Sequence, residues 1–82
     1  MLVHRTPIPQ GEFEAFQSAI RASGRDPAVF KAQMFEARCS ANDSPMRRVH
    51  VVTQQAAAQY DASTGSAWTQ SFARHLARGF FG

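Results

Sequence analysis

Residues 28–53 read AVFKAQMFEARCSANDSPMRRVHVVT, a run in which two segments of strand character flank a polar cluster. The cluster SANDSP at 40–45 is typical of a turn. Residues 46–53, which follow it, are rich in valine and alternate as a half-buried strand does. A strand on its own leaves its backbone groups unpaired, and the segment before the turn is its nearest partner. We therefore predict a β-hairpin in which residues 29–39 pair with residues 46–53.

Residues 26–40 also fit a helix, so two interpretations of this segment stay open. Asp26 and Pro27 suit an N-cap and a first helical position, and many of the residues that follow are good helix formers. In the strand interpretation, a bulge shifts the phase of the alternation. With that bulge after Met34, one side of the strand would carry six residues: Phe30, Ala32, Met34, Phe35, Ala37 and Cys39. The turn and the strand that follow favour the hairpin.

Two amphipathic helices are predicted on either side of the hairpin, at residues 10–23 and 66–78. In each, large apolar residues recur every three or four positions and so share one face. These residues are Phe13, Phe16 and Ile20 in the first helix and Trp68, Phe72 and Leu76 in the second. Gly24 and Gly79 follow the two segments and suit helix C-caps.

The remaining segments are shorter and more weakly patterned. Residues 1–9 contain Pro7 and Pro9, which favour extended backbone, so we predict an extended N-terminal arm. Residues 56–62 suit a short third strand or a bulged continuation of the second. Residues 63–66, read STGS, offer hydroxyl caps to the helix that follows. We therefore expect residues 1–82 to form a single small domain whose folded body spans residues 10–80.

The predicted order of elements is α-β-β-(β)-α. Two helices packed on one face of a small antiparallel sheet make a two-layer α+β fold. The alternative is a mostly helical body with one short hairpin. The α-β-β-β-α order resembles that of the double-stranded RNA-binding domain, whose second helix begins with lysines that contact phosphates. Residues 66–71 here read SAWTQS, without a lysine or arginine, so the resemblance concerns architecture and implies no RNA-binding site.

Composition excludes several classes of protein. The chain has 82 residues, a net charge of +3 and 11% aromatic residues, a balance that does not favour wholesale disorder. A chain this short cannot form a large enzyme with a deep pocket. No segment approaches the roughly 18 apolar residues of a membrane span, and the prolines near the start do not suit a signal peptide. The single cysteine fits a reducing compartment, so we expect a cytoplasmic protein.

No motif for metal binding or catalysis is present. Cys39, His4, His50 and His75 do not have the spacing of a zinc site. Cys39 with His50 would be a minimal nucleophile and base, but a lone cysteine near a strand end is more often a small buried hydrophobe. We therefore predict no metal, no cofactor and no enzymatic activity.

The positive charge is concentrated in the second half of the chain. Residues 1–43 carry equal numbers of cationic and anionic side chains, whereas residues 44–82 carry four arginines against Asp61. Strand alternation places Arg48 and His50 on one face, and Arg74 and Arg78 form one stripe at i, i+4 of the second helix. If these four residues converged in space, they could contact phosphates.

Two functions follow from these patterns. Phe80 and Phe81 can fold back onto the core or remain exposed. The first function is a non-enzymatic interaction domain that self-associates, because exposed Phe80 and Phe81 would offer an apolar surface and the sheet an open edge. The alternative is a nucleic-acid-binding module that uses the basic second half. No membrane partner is expected.

Overall fold

The computed structural model describes residues 2–38, 45–63 and 67–81. Within these residues it contains two α-helices, one short 3-10 helix and four strands. In chain order the elements are β1 (Leu2–Thr6), α1 (Gln10–Ala22), the 3-10 helix Pro27–Val29, β2 (Lys31–Arg38), β3 (Met46–Val52), β4 (Ala57–Asp61) and α2 (Ala67–Ala77). The strands form one antiparallel sheet in the order β1-β2-β3-β4. The predicted α+β class is confirmed.

The two helices cover one face of the sheet, because apolar side chains from both layers meet in a single core. From the helices come Phe16, Ile20, Trp68, Phe72 and Leu76, and from the strands come Met34, Val49, Val51 and Tyr60. Most of these side chains are almost completely removed from solvent. Burial of apolar area on this scale is the main stabilising contribution in a domain of this size. Neither described helix packs on the opposite face of the sheet.

The hairpin interpretation is confirmed over residues 31–38 of the predicted strand 29–39, and the mostly helical alternative is wrong. The side chain of Asp26 accepts a hydrogen bond from the Ala28 N–H at 2.9 Å, but it caps only a three-residue 3-10 helix. Phe30 then returns to extended backbone. From Lys31 to Ala37, β2 pairs residue by residue with β3. This ladder satisfies the backbone groups that a longer helix would have bonded internally.

The N-terminal arm is extended as predicted, but it belongs to the folded body. Residues 2–6 form β1 and pair with β2, so that Leu2 lies opposite Arg38 and Thr6 opposite Met34. Without β1, β2 would be an edge strand with one row of unpaired backbone groups. The boundary predicted at residue 10 is therefore wrong. Pro7 and Pro9 instead separate the strand from α1.

The third strand is confirmed as β4, although no glycine or asparagine marks the turn before it. The Thr53 side chain supplies the turn instead. The Thr53 hydroxyl oxygen accepts hydrogen bonds from the backbone N–H groups of Gln55 at 3.2 Å and Ala56 at 3.1 Å. The backbone N–H of Thr53 donates to the Ala56 carbonyl at 2.8 Å. A hydroxyl that bonds the backbone two or three residues ahead stabilises a turn without positive φ.

A hydrogen bond between side chains ties α1 to α2. The indole Nε1–H of Trp68 donates to Glu12 Oε1 at 2.7 Å, and the Trp68 side chain is 1% exposed. We expect Glu12→Ala to lower the free energy of unfolding by about 1–3 kcal/mol, because the buried indole N–H loses its acceptor.

Urea denaturation followed by the fluorescence of Trp68, the only tryptophan, measures this loss. The matched control is Glu14→Ala, which removes an exposed acceptor of Gln10 and should change stability by less than about 0.5 kcal/mol. Equal losses in the two variants would contradict a stabilising role for the bond between the helices.

Candidate functional site

The open face is defined here as the sheet surface turned away from the helices. It carries the odd-numbered residues of β1, β2 and β4 and the even-numbered residues of β3. Three of its apolar side chains are largely exposed: Val3 at 57%, Met46 at 51% and Val52 at 45%. Val3 and Met46 lie on either side of Ala37, whereas Val52 is at the other end of β3. Exposed apolar side chains that lie together are typical of an interaction site.

One row of paired residues crosses all four strands at the middle of the open face. Phe35 on β2 lies opposite Arg5 on β1 and opposite Arg48 on β3, and Arg48 lies opposite Asp61 on β4. Side chains that are directly paired across antiparallel strands have Cβ atoms about 4.5–5.5 Å apart. A partly exposed aromatic ring is therefore flanked by an exposed arginine on each side.

A second row lies beside the first and is made of polar groups. Gln33, His50 and Gln59 are paired across β2, β3 and β4. The His50 ring lies 4.9 Å from the Phe35 ring between centroids, tilted by 56°, and the Arg48 guanidinium donates to Gln59 Oε1 at 3.5 Å. Aromatic, amide and guanidinium groups thus occupy one continuous patch.

A shallow pocket adjoins the Phe35 ring on its other side. Its volume is about 300 Å³, and its lining is mostly apolar. It is lined by Val3, Phe35, Ala37, Met46, Arg48 and His50. This volume is at the lower end of those of small-ligand sites, about 300–1,000 Å³. The pocket can admit the flat edge or ring of a ligand beside Phe35.

The open face carries excess positive charge. Its charged strand residues are Arg5, Lys31, Arg48 and Asp61, which give a net charge of +2. Hydrogen bonds from the backbone and side chain of Ser63, and to a smaller extent the charge of Arg48, hold the pKa of Asp61 below its usual value of 3.8. Asp61 is therefore ionised at neutral pH. Because it lies on the edge strand β4, the β1–β3 part of the face is the more positive.

The four basic residues predicted to contact phosphates do not converge. Arg48 and His50 both lie on the open face. Arg74 and Arg78 lie on or directly after α2, whose buried side chains pack against the other face of the sheet. The Arg74 guanidinium donates to the Ser71 hydroxyl at 3.3 Å. The sheet separates the two pairs, so one ligand cannot contact both pairs without wrapping around the domain.

The predicted apolar surface at the C-terminal end is divided between core and solvent. The Phe81 side chain is 5% exposed and packs 5.5 Å from both Phe30 and Phe72 between ring centroids. Phe80 is 47% exposed and stacks on His75. The prediction that both rings form the surface is thus corrected: Phe81 belongs to the core, and only Phe80 is available to a partner.

The histidines outside the open face have local partners. The Tyr60 hydroxyl lies 2.7 Å from His75 Nδ1, and burial raises the pKa of Tyr60 to about 12, so the phenol keeps its proton at neutral pH. His4 lies 4.0 Å from a carboxylate oxygen of Glu36. In residues 2–38, 45–63 and 67–81, no three histidine, aspartate or glutamate side chains are grouped as metal ligands. Cys39 and most of the turns predicted at residues 40–45 and 63–66 lie outside the described residues.

A second concavity opens at one end of the sheet. It has a volume of about 740 Å³ and lies between the 3-10 helix, the turn after β3 and the Phe81 ring. Val29 and Val52 supply exposed apolar surface there. Lys31 borders both this groove and the open face. The groove therefore extends the positive surface around the end of β2.

The sequence did not predict that Phe35 and Arg5 lie on the open face. A bulge was predicted to turn Phe35 to the side of Met34, but β2 and β3 pair without a break and Phe35 faces away from the core. Strict alternation from Met34 would have placed it correctly. Arg5 was assigned to an arm, and no local pattern marks its pairing with Phe35, which lies 30 residues further along the chain.

Comparison of the chain with protein-family models, with curated proteins and with solved structures finds no significant match. The resemblance to the double-stranded RNA-binding domain gains no support from these comparisons, and β1 adds a strand before α1 that the resemblance did not include. Neither described helix has the length and hydropathy needed to cross a membrane.

Proposed function

We propose that this protein is a non-enzymatic interaction domain that binds nucleic acid through the open face. The observation that carries the proposal is the row in which Arg5 and Arg48 flank Phe35 on the sheet surface that neither described helix covers. Cations supply attraction to phosphates. An aromatic ring and neighbouring amides supply contacts to bases. We propose that the domain acts in the cytoplasm, since its single cysteine fits a reducing compartment.

Charge favours an anionic partner over a second copy of the chain on this face. Two open faces brought together would each present Arg5, Lys31 and Arg48 against a single carboxylate. Like charges desolvated across an interface are costly. A polyanion gains from the same three cations. The net charge of +3 for the whole chain acts in the same direction.

Fluorescence anisotropy with labelled oligonucleotides of mixed sequence tests the proposal. We expect binding at low salt that weakens as salt rises. With three cations on phosphates, log Kobs should fall with log salt at a slope of about −2 for a single strand. The absence of binding to single-stranded and duplex DNA and RNA at low salt would contradict the proposal.

Self-association is the second candidate, and the edge of β4 favours it. Ala57–Asp61 pair with β3 on one side only, and this strand contains no proline or lysine to block a further strand. Exposed Phe80 would add apolar area to such a contact. Sedimentation velocity over a wide range of protein concentration tests this candidate: a shift toward dimer supports self-association, and a constant monomer excludes it.

A further inference from the structure

We propose that the ligand of the open face is single-stranded nucleic acid and that one base stacks on the ring of Phe35. This inference rests on the proposed function, because it names which nucleic acid binds and which residue selects it. Phe35 is partly exposed, lies at the middle of the face and has an apolar pocket of about 300 Å³ beside it. An exposed ring of this kind on a sheet is a platform for an unpaired base.

The Phe35 ring favours a single strand over a duplex. Arginines and lysines attract the phosphates of either form. In a duplex, however, each base is stacked between its neighbours and offers no free ring face to a protein side chain. An aromatic platform therefore contributes only when a base is unstacked. Arg74 and Arg78 lie on the far side of the domain and cannot add contacts to a duplex bound on the open face.

The positions of the polar groups suggest how the strand lies. Arg5 and Arg48 flank Phe35 on the neighbouring strands, so phosphates on either side of the stacked base can each meet a guanidinium. Asp61 lies beyond Arg48 and repels phosphate from β4. Lys31 continues the cationic surface along β2. The backbone of the ligand is thereby directed over β1, β2 and β3.

Three groups are available to contact the stacked base itself. His50 lies 4.9 Å from Phe35 between ring centroids and can extend the stacking surface. Gln33 and Gln59 flank His50 on the neighbouring strands and carry both donors and acceptors. A side-chain amide can form hydrogen bonds with the edges of several types of base. We therefore expect modest sequence preference together with clear preference for the unpaired strand.

The test compares two variants at one position. Phe35→Leu keeps an apolar side chain without an aromatic ring and should weaken binding to a single-stranded oligonucleotide by about 5- to 100-fold. Phe35→Trp keeps a ring and should retain the affinity within about threefold, since tryptophan also stacks on bases. Circular dichroism and thermal unfolding establish that both variants are folded. The paired control Arg74→Gln with Arg78→Gln should leave affinity within about threefold of the wild-type value.

The outcomes separate this inference from the function on which it rests. Binding to single strands that is lost in Phe35→Leu and retained in Phe35→Trp supports it. Equal affinity for duplex and single strand, unchanged in Phe35→Leu, overturns the inference and leaves nucleic-acid binding standing. No binding to any oligonucleotide overturns both. A dimer that Phe35→Leu dissociates, without nucleic-acid binding, would assign the open face to a second copy and also overturn both.

Discussion

Phe72→Ala is expected to lower the free energy of unfolding by about 3–5 kcal/mol. The Phe72 side chain is fully buried and lies at the centre of the aromatic core. Its ring centroid is 4.7 Å from that of Phe16, 5.9 Å from Phe30 and 5.5 Å from Phe81. Truncation removes contacts to α1, to the segment before β2 and to Phe81 together. The cavity has walls from several elements and cannot close by movement of one of them.

The size of this loss can be compared with the whole stability of the domain. Native domains are stable by roughly 0.05–0.15 kcal/mol per residue, or about 4–12 kcal/mol for this length. The loss is therefore a large fraction of the total stability, and the urea midpoint of the variant should lie far below that of the wild type. The control is Phe13→Ala, because Phe13 is 39% exposed on α1, and it should cost about 1 kcal/mol. Equal losses at the two positions would contradict a core centred on Phe72.

Phe81→Ala is expected to cost about 3 kcal/mol, whereas Phe80→Ala should cost less than about 1 kcal/mol. The two residues are adjacent in sequence but differ in environment. Phe81 packs edge-on against Phe30 and also contacts Phe72. Phe80 stacks on His75 with nearly half of its surface in solvent.

Chemical denaturation of both variants under identical conditions measures the difference. If Phe81→Ala is as mild as Phe80→Ala, the C-terminal segment does not close the core. The same pair bears on self-association, since only the Phe80 variant removes apolar surface that a partner could reach. A dimer that persists in Phe80→Ala would use a surface that does not depend on Phe80, such as the edge of β4 or the open face.

The parts of the fold that the sequence predicted are those with strong local signals. The polar turn and the valine-rich segment after it located the hairpin, and Trp68, Phe72 and Leu76 marked the buried face of α2. The alternation in β3 correctly placed Arg48 on the other face of the sheet from Val49, which faces the core. In each case the evidence lay within a few residues of the element concerned.

The parts that the sequence did not predict depend on partners far along the chain. In the pairing of β1 with β2, Leu2 lies opposite Arg38. The alternation of a five-residue strand is too short to predict this pairing from the sequence. The helix-forming residues after Asp26 form only one 3-10 turn, because the backbone groups of β2 make hydrogen bonds to β3 instead of bonds within a helix.

The candidate site was predicted only in part for the same reason. Arg48 and His50 were assigned to one face from β3 alone. Phe35 and Arg5 join them only through the register of three strands. The separation of Arg74 and Arg78 from the open face depends on which face the helices cover, and no local pattern specifies that choice.

The measurement that tests the central claim most directly is chemical-shift mapping by NMR during titration with a single-stranded oligonucleotide. We expect the largest changes at the Phe35 ring protons and at the Arg5 and Arg48 side chains, which lie together on the open face, with little change at Arg74 or Arg78. Changes that centre on α2, or on the groove between Val29 and Val52, would contradict the assignment of the open face as the binding surface.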